Sequence, residues 1–410
     1  PTKARKGVEG MLQEIPYRNR PIDPIVKDRL VDGVWPQFIK PMPVNDKYFL
    51  VTAKLSPDAL WGIYLVDVFD NVTCLHEAEG EGYISPVLVR KSQTPPVIPD
   101  RVKLSEKEAT VFIQDIYEGE GLRGVPKGTV KSLRIHAYEY AYIKSPSNHE
   151  AMGIQSGWDI KRNLGTVPVE EDGSAIFKIP ANTPISIQPL DRDGRAIQWM
   201  RSWLTGMPGE IISCVGCHED QNSIAIPKRV TASTKLPVAL TAPEGGIRPF
   251  TFDLEVQPVL DRACIACHDG SEGKPDLRGG KKDARGFGTS YLALHPYVRR
   301  QGPEADMAVL QPYEYHANTS ELIRMLEVGH HNVKLTKEEW SALTNWIDYN
   351  APDKGIFGPI NPLKGVDQYT RRIELSEKYA GKSVCWKQEL TDYAAYLKTK
   401  GTIKPELPES

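Results

Sequence analysis

The sequence predicts an α+β protein: a β-rich, sandwich- or barrel-like part followed by an α-helical part. Two observations carry this. Between residues 48 and 203, short runs rich in apolar and aromatic residues recur between Gly, Pro, Asn and Asp turns, which is how a sandwich or barrel reads. Beyond residue 250 the period changes: Phe252, Val256, Val259, Leu260 and Ala263 fall on one helical face.

Taken in order, residues 1–45 read as an extended arm, because Pro16, Pro21, Pro24, Pro36, Pro41 and Pro43 interrupt any regular pairing. Strands are expected at Tyr48–Thr52, at Trp61–Phe69 and, after an Asp70-Asn71 turn, at Val72–His76. The proline-rich run 92–99 cannot be a central strand. Further strands are expected at Thr110–Tyr117, Lys131–Tyr142, Ala175–Ile179, Pro184–Leu190 and Ala196–Trp203, with a Gly-rich loop over Gly119–Gly128. A linker over Ile224–Arg248 leads to helices at 252–263, at Glu321–Val328 capped by Thr319, and over the residues that follow the Thr336–Glu339 capping box. A tail carries helices at Tyr369–Tyr379 and Trp386–Lys398. The expected domains are therefore an arm (1–45), a β-rich domain (46–245), a helical domain (246–352) and a helical tail (353–410).

Composition excludes several classes. A net charge of −2 leaves no nucleic-acid footprint, and no apolar run approaches the length of a transmembrane helix. The chain starts at a basic, polar Pro1–Gly10 without a signal peptide, so a processed or trimmed N-terminus is expected.

Two short stretches organise the rest. Cys214-Val-Gly-Cys217-His218 and Cys264-Ile-Ala-Cys267-His268 both read C-x-x-C-H, the attachment motif of a c-type haem. With 6 Cys and 9 His in 410 residues, one such motif arises by chance about 0.002 times. A thioredoxin-like dithiol does not need the trailing histidine, and a four-Cys zinc site does not predict the duplicated Cys-His pair. The reading is two covalent haems c, with His218 and His268 as proximal iron ligands. Haem c is attached outside the cytoplasm, so an exported, extracytoplasmic (periplasmic or equivalent) protein is expected. The first motif closes the β-rich domain. The second opens a small class I-like cytochrome c domain. Cys74 and Cys385 remain, as a disulfide or as separate buried thiols.

The sixth ligand decides what each iron can do: two strong ligands favour electron transfer, and an open position admits substrate. For the second haem, His330 and His331 stand between two helices, and His330 is the favoured ligand. For the first, Met200, Met207, His136 and His149 are candidates without diagnostic spacing, which points to a five-coordinate or weakly held iron. Tyr138, Tyr140 and Tyr142 share one strand face and could line a haem, although an aromatic sheet face is the plainer reading.

Seven stretches resemble the hydrazine synthase alpha subunit family: Trp61–Phe69, Gly82–Pro86, the Pro-Pro-Val-Ile-Pro run, Gly165–Ser174, Ser213–Glu219, and, in the second domain, Tyr291–Tyr297 and Gly329–Asn332. The resemblance covers roughly residues 40 to 380. It implies two c-type haems, one five-coordinate and catalytic in a middle domain, one bis-histidine and electron-transferring in a C-terminal domain. It also implies beta and gamma partner subunits and a reaction joining ammonium to an intermediate made from nitric oxide. In that family the middle-domain motif histidine turns to a zinc ion and a tyrosine four residues later binds iron. Asn222 stands at that position here, which favours His218 as the ligand and leaves zinc to family analogy alone. The family's N-terminal β-propeller has no counterpart repeat here, so either a preceding segment is missing or the chain is a shorter relative.

Three functions follow. An electron-transferring dihaem subunit of an extracytoplasmic redox complex is favoured. An oxidoreductase subunit with an open first haem acting on small nitrogen compounds is the alternative. A gas sensor finds no output domain.

Overall fold

The computed structural model describes residues 33–91, 94–140, 152–154, 159–219, 226, 228–271, 273–302, 309–355, 368–381 and 385–400. His149, Tyr142, Asn222 and most of the proline-rich arm lie outside them. The chain divides into two compact units, Pro1–Pro99 and Asp100–Ser410. That division falls inside the span 46–245 expected as one domain.

In the first unit, β1 (Gln37–Pro43), β2 (Tyr48–Lys54), β3 (Gly62–Asp67) and β4 (Val72–His76) form an antiparallel sheet in that order. The end of the expected arm is thus an edge strand. Edge strands tolerate proline, and the register slips between Ile39 and Met42, around Pro41. Asp67 closes the β3–β4 turn by accepting from the amides of Phe69 (2.9 Å) and Asn71 (3.0 Å). Val51, Ala53, Tyr64 and Val66 form the core, packed by Phe38 and Phe49. Every residue of β4 is exposed.

The second unit holds two three-stranded sheets. In one, β5 (Glu108–Ile113) lies between β8 (Ala175–Pro180) and β10 (Ile211–Cys214), with β10 parallel to it and β8 antiparallel. In the other, β6 (Ser132–Tyr140) lies between β7 (Asp159–Pro168) and β9 (Ile185–Leu190). Val111, Ile113, Phe177 and Ile179 from the first and Leu133, Ile135, Val167, Ile185 and Ile187 from the second share one apolar core. The expected strand at Ala196–Trp203 is instead irregular chain held to β9 by single bonds, Ile197 N–H to Pro189 O (3.0 Å) and Met200 N–H to Ile187 O (3.0 Å).

The helical part begins with α1 (Phe252–Glu255) and α2 (Gln257–Ala263), one expected helix broken at Val256, just before Pro258. Then come α3 (Thr289–Leu294), α4 (Glu321–Val328) and α5 (Lys337–Asp348). Ser320, not Thr319, stands at the N-cap of α4; Thr319 ends a short 3-10 turn, Ala317–Thr319. The capping box of α5 forms as expected between Thr336 and Glu339. Phe252, Phe287, Tyr291 and Trp346 fill the helical core, their rings meeting at 5.2–6.1 Å. Two further helices, α6 (Gln368–Ala380) and α7 (Trp386–Thr399), follow. Tyr393 of α7 donates to Glu255 (2.7 Å), which also holds Arg248.

The sheet and helical parts of this unit are joined by a buried polar seam. Asp348, at the end of α5, accepts from the amides of Ala196 (2.8 Å) and Ala317 (2.9 Å). Arg134 of β6 lies 3.9 Å from the same carboxylate and donates to Gln188 (2.9 Å) and Asn345 (2.6 Å).

Candidate functional site

The first motif is built on β10 and clamped from one side. Strand β10 delivers Cys214, and the segment after β5 then grips the motif backbone. Gln114 N–H donates to Cys214 O (2.9 Å), Asp115 to Val215 (3.0 Å), Gly121 to Cys217 (2.9 Å) and Glu120 to His218 (3.1 Å). The approach leaves no room for side chains. A Cβ on Gly119 would lie 2.6 Å from Cys217 O, and one on Gly216 would lie 2.2 Å from Glu118 O. The sequence marked 119–128 only as a Gly-rich loop; the Gly-Glu-Gly spacing within it was the available sign of this clamp. His218 is exposed and takes a left-handed backbone, φ +62. Cys214 and Cys217 are partly buried against the sheet core.

The second motif follows α2, with His268 N–H closing a turn onto Cys264 O (3.0 Å). Cys264 packs on the helical core. The loop after α4 leaves the helix through Gly329, φ +104, and brings His330 opposite. The rings of His268 and His330 are 5.9 Å apart, centre to centre, with planes inclined at 27°. His331 meets His330 edge-on at 4.6 Å and is exposed. Nδ1 of His268 is buried with no hydrogen-bond partner. Burial, then His331 and His268, lower the pKa of His330.

Cys74, Cys214, Cys217, Cys264 and Cys267 are free thiols. Burial pushes Cys217 up to about 12 and Cys264 up to about 11, and raises Cys214 as well. A thioredoxin-type dithiol works through a lowered pKa, so these pairs are poor candidates for that chemistry. Cys74, far from being a buried thiol, is exposed on β4. Among the described residues no group of three or more His, Cys, Asp or Glu could hold a metal ion.

Of the other candidate ligands for the first motif, His136 and Met200 are engaged elsewhere and His149 lies outside the described residues. Nε2 of buried His136 meets Gln188 Oε1 at 3.1 Å, and its ring lies 4.9 Å from that of Tyr349. Burial and nearby Arg134 push its pKa down to about 3. Met200 packs on the sheet core and Met207 is exposed. Tyr138 is buried and donates to Met200 O (3.4 Å), as an aromatic sheet residue.

Residues 128–219, from just before β6 through the first motif, match the family described as hydrazine synthase alpha subunit middle domain. The hydrazine synthase subunit alpha of Kuenenia stuttgartiensis is 23% identical, over 59% of this chain and 40% of that one. These matches support a hydrazine synthase alpha-like relationship. The solved structure of Kuenenia stuttgartiensis hydrazine synthase shares the fold at a TM-score of 0.61 and 19% identity, covering 80% of this chain and 56% of that chain. This chain therefore spans about half the length of its relatives, and the second motif lies beyond the family match. Mixed sheets followed by helices are common to this alpha-like chain and the solved relative.

Proposed function

We propose that the chain is an extracytoplasmic dihaem c-type cytochrome that passes electrons as a subunit of a redox complex resembling hydrazine synthase. The observation that carries this is the His268–His330 pair. A metal–imidazole bond of about 2 Å on each side, with roughly 1 Å from each ring nitrogen to its ring centre, separates two axial rings by about 6 Å, and these stand at 5.9 Å. The donor set fits the group: two free thiols beside one histidine, present in each of the two motifs. Cys264 and Cys267 would hold the second haem through thioethers, with His268 and His330 on its two faces. Cys214 and Cys217 would hold the first. Bound haem supplies one-electron redox chemistry. The chain's own part is to fix both imidazoles and brace the first motif on the 114–121 segment.

A second reading has its own observation. His218 is exposed, left-handed and, among the described residues, faces no other ring, which favours an open first haem and a catalytic oxidoreductase subunit acting on small nitrogen compounds. Absorption and EPR spectra of the purified chain, with and without carbon monoxide or nitric oxide, separate the two. Two covalent haems, both low-spin and inert to gas, support electron transfer. A high-spin first haem that binds gas supports the catalytic reading, and a chain with no covalent haem sinks both.

A further inference from the structure

Arg262 lies two residues before Cys264, on the helix that leads into the second motif. Its guanidinium reaches across to the other arm of the site. Nε and Nη2 grip the two carboxylate oxygens of Glu339, and Nη2 also donates to Lys334 O (3.0 Å). Lys334 is four residues after His330, in the same loop, and Val333 N–H closes that loop onto His330 O (2.9 Å). Glu339 is already held by the capping box of α5, accepting from Thr336 N–H (2.8 Å). The arm bearing the cysteines and His268 is thus tied to the loop bearing His330 through one bidentate side chain. A fork of fixed geometry does this where a lysine would give a single point of contact.

We propose that Arg262 is a positioning residue for the second haem: it holds the His330 loop against the Cys264–His268 arm, so that His330 stays opposite His268. The proposal rests on the reading of these histidines as axial ligands. Arg262 touches neither ring.

The test uses the full haem-loaded chain. In Arg262→Met the reduced second haem takes carbon monoxide with an affinity raised about tenfold, the low end for loss of an outer-shell partner, since Arg262 is half exposed. Arg262→Lys falls between Met and the parent. Arg371→Met, which breaks an exposed pair on α6, leaves the binding unchanged. Glu339→Gln loosens the same grip while keeping a residue able to form the capping box, and serves if Arg262→Met does not fold. A merely structural clamp would lower Tm in these variants and leave the haem closed; that result overturns the proposal. A parent chain whose second haem already binds carbon monoxide overturns the axial reading instead, and with it the role of Arg262.

Discussion

His330 faces His268 across 5.9 Å, and His331, its neighbour in sequence, turns its ring 83° away from that of His330. His330 has the separation from His268 that a shared metal requires. On the dihaem reading proposed above, His330→Ala should turn the second haem high-spin and open it to carbon monoxide, and His331→Ala should leave it low-spin. Optical and EPR spectra of the two variants decide it. The opposite pattern would reassign the ligand.

Gly119 sits at φ +95, where a Cβ would strike Cys217 O at 2.6 Å and Glu219 N at 2.7 Å. Gly124, in the same loop at φ +78, has nothing within 4 Å. Gly124→Ala should cost about 1 kcal/mol from backbone strain alone, whereas Gly119→Ala should cost about 2–4 kcal/mol, strain and clash together. Thermal denaturation measures the difference. Mass analysis of the Cys214–Cys217 peptide should also show less covalent haem in Gly119→Ala. Equal losses in the two variants would mean the clamp does not brace the motif.

How much of this could be read from the sequence varies with how local the cause is. Both C-x-x-C-H motifs and the Thr336–Glu339 capping box are short-range patterns, and the latter formed where expected. Strand β7 was missed because Lys161, Arg162 and Asn163 break its alternation. Arg162 is nevertheless buried, paired with Glu389 of α7, a partner 227 residues away. Ala196–Trp203 is apolar enough for a strand, yet the amide of Ala196 serves the carboxylate of Asp348. His136 looked like a candidate ligand because nothing nearby in sequence names Gln188 as its partner. In each miss, a long-range polar contact overrode the local pattern.

That carboxylate makes a second mutational test. Asp348 is fully buried; removing it takes the acceptor from the amides of Ala196 and Ala317 and takes a carboxylate from beside Arg134, which keeps its bonds to Gln188, Gly194 and Asn345. Burial raises its pKa, while Arg134 and the amides of Ala317 and Ala196 pull it back. Asp348→Ala takes the countercharge from a buried guanidinium and the acceptor from two amides, and should cost about 3–5 kcal/mol, lowering Tm on the order of 10 °C. Asp348→Asn keeps the shape but loses the charge, and should fall between the two. A Tm unchanged in Asp348→Ala would mean that the seam between sheet and helices is not held by this group.

Acid sensitivity follows from two buried histidines, His136 and His316, and the partly buried His295. Burial pushes His136 down to about 3 and His295 and His316 down to about 4, each helped by a nearby arginine. In the unfolded chain each returns to about 6.5. Between these values the unfolded chain binds more protons than the folded one, so stability rises with pH. It is whole above about pH 6.5 and is lost as pH falls toward 4, by up to about 1.4 kcal/mol per pH unit for each histidine. Tm measured from pH 7.5 to 5 should fall steeply below 6.5. His316→Gln removes one of the three protons taken up on unfolding and should flatten that slope by about a third. A slope identical to that of the parent would show that His316 is already protonated in the folded chain, or that it is not buried as neutral imidazole.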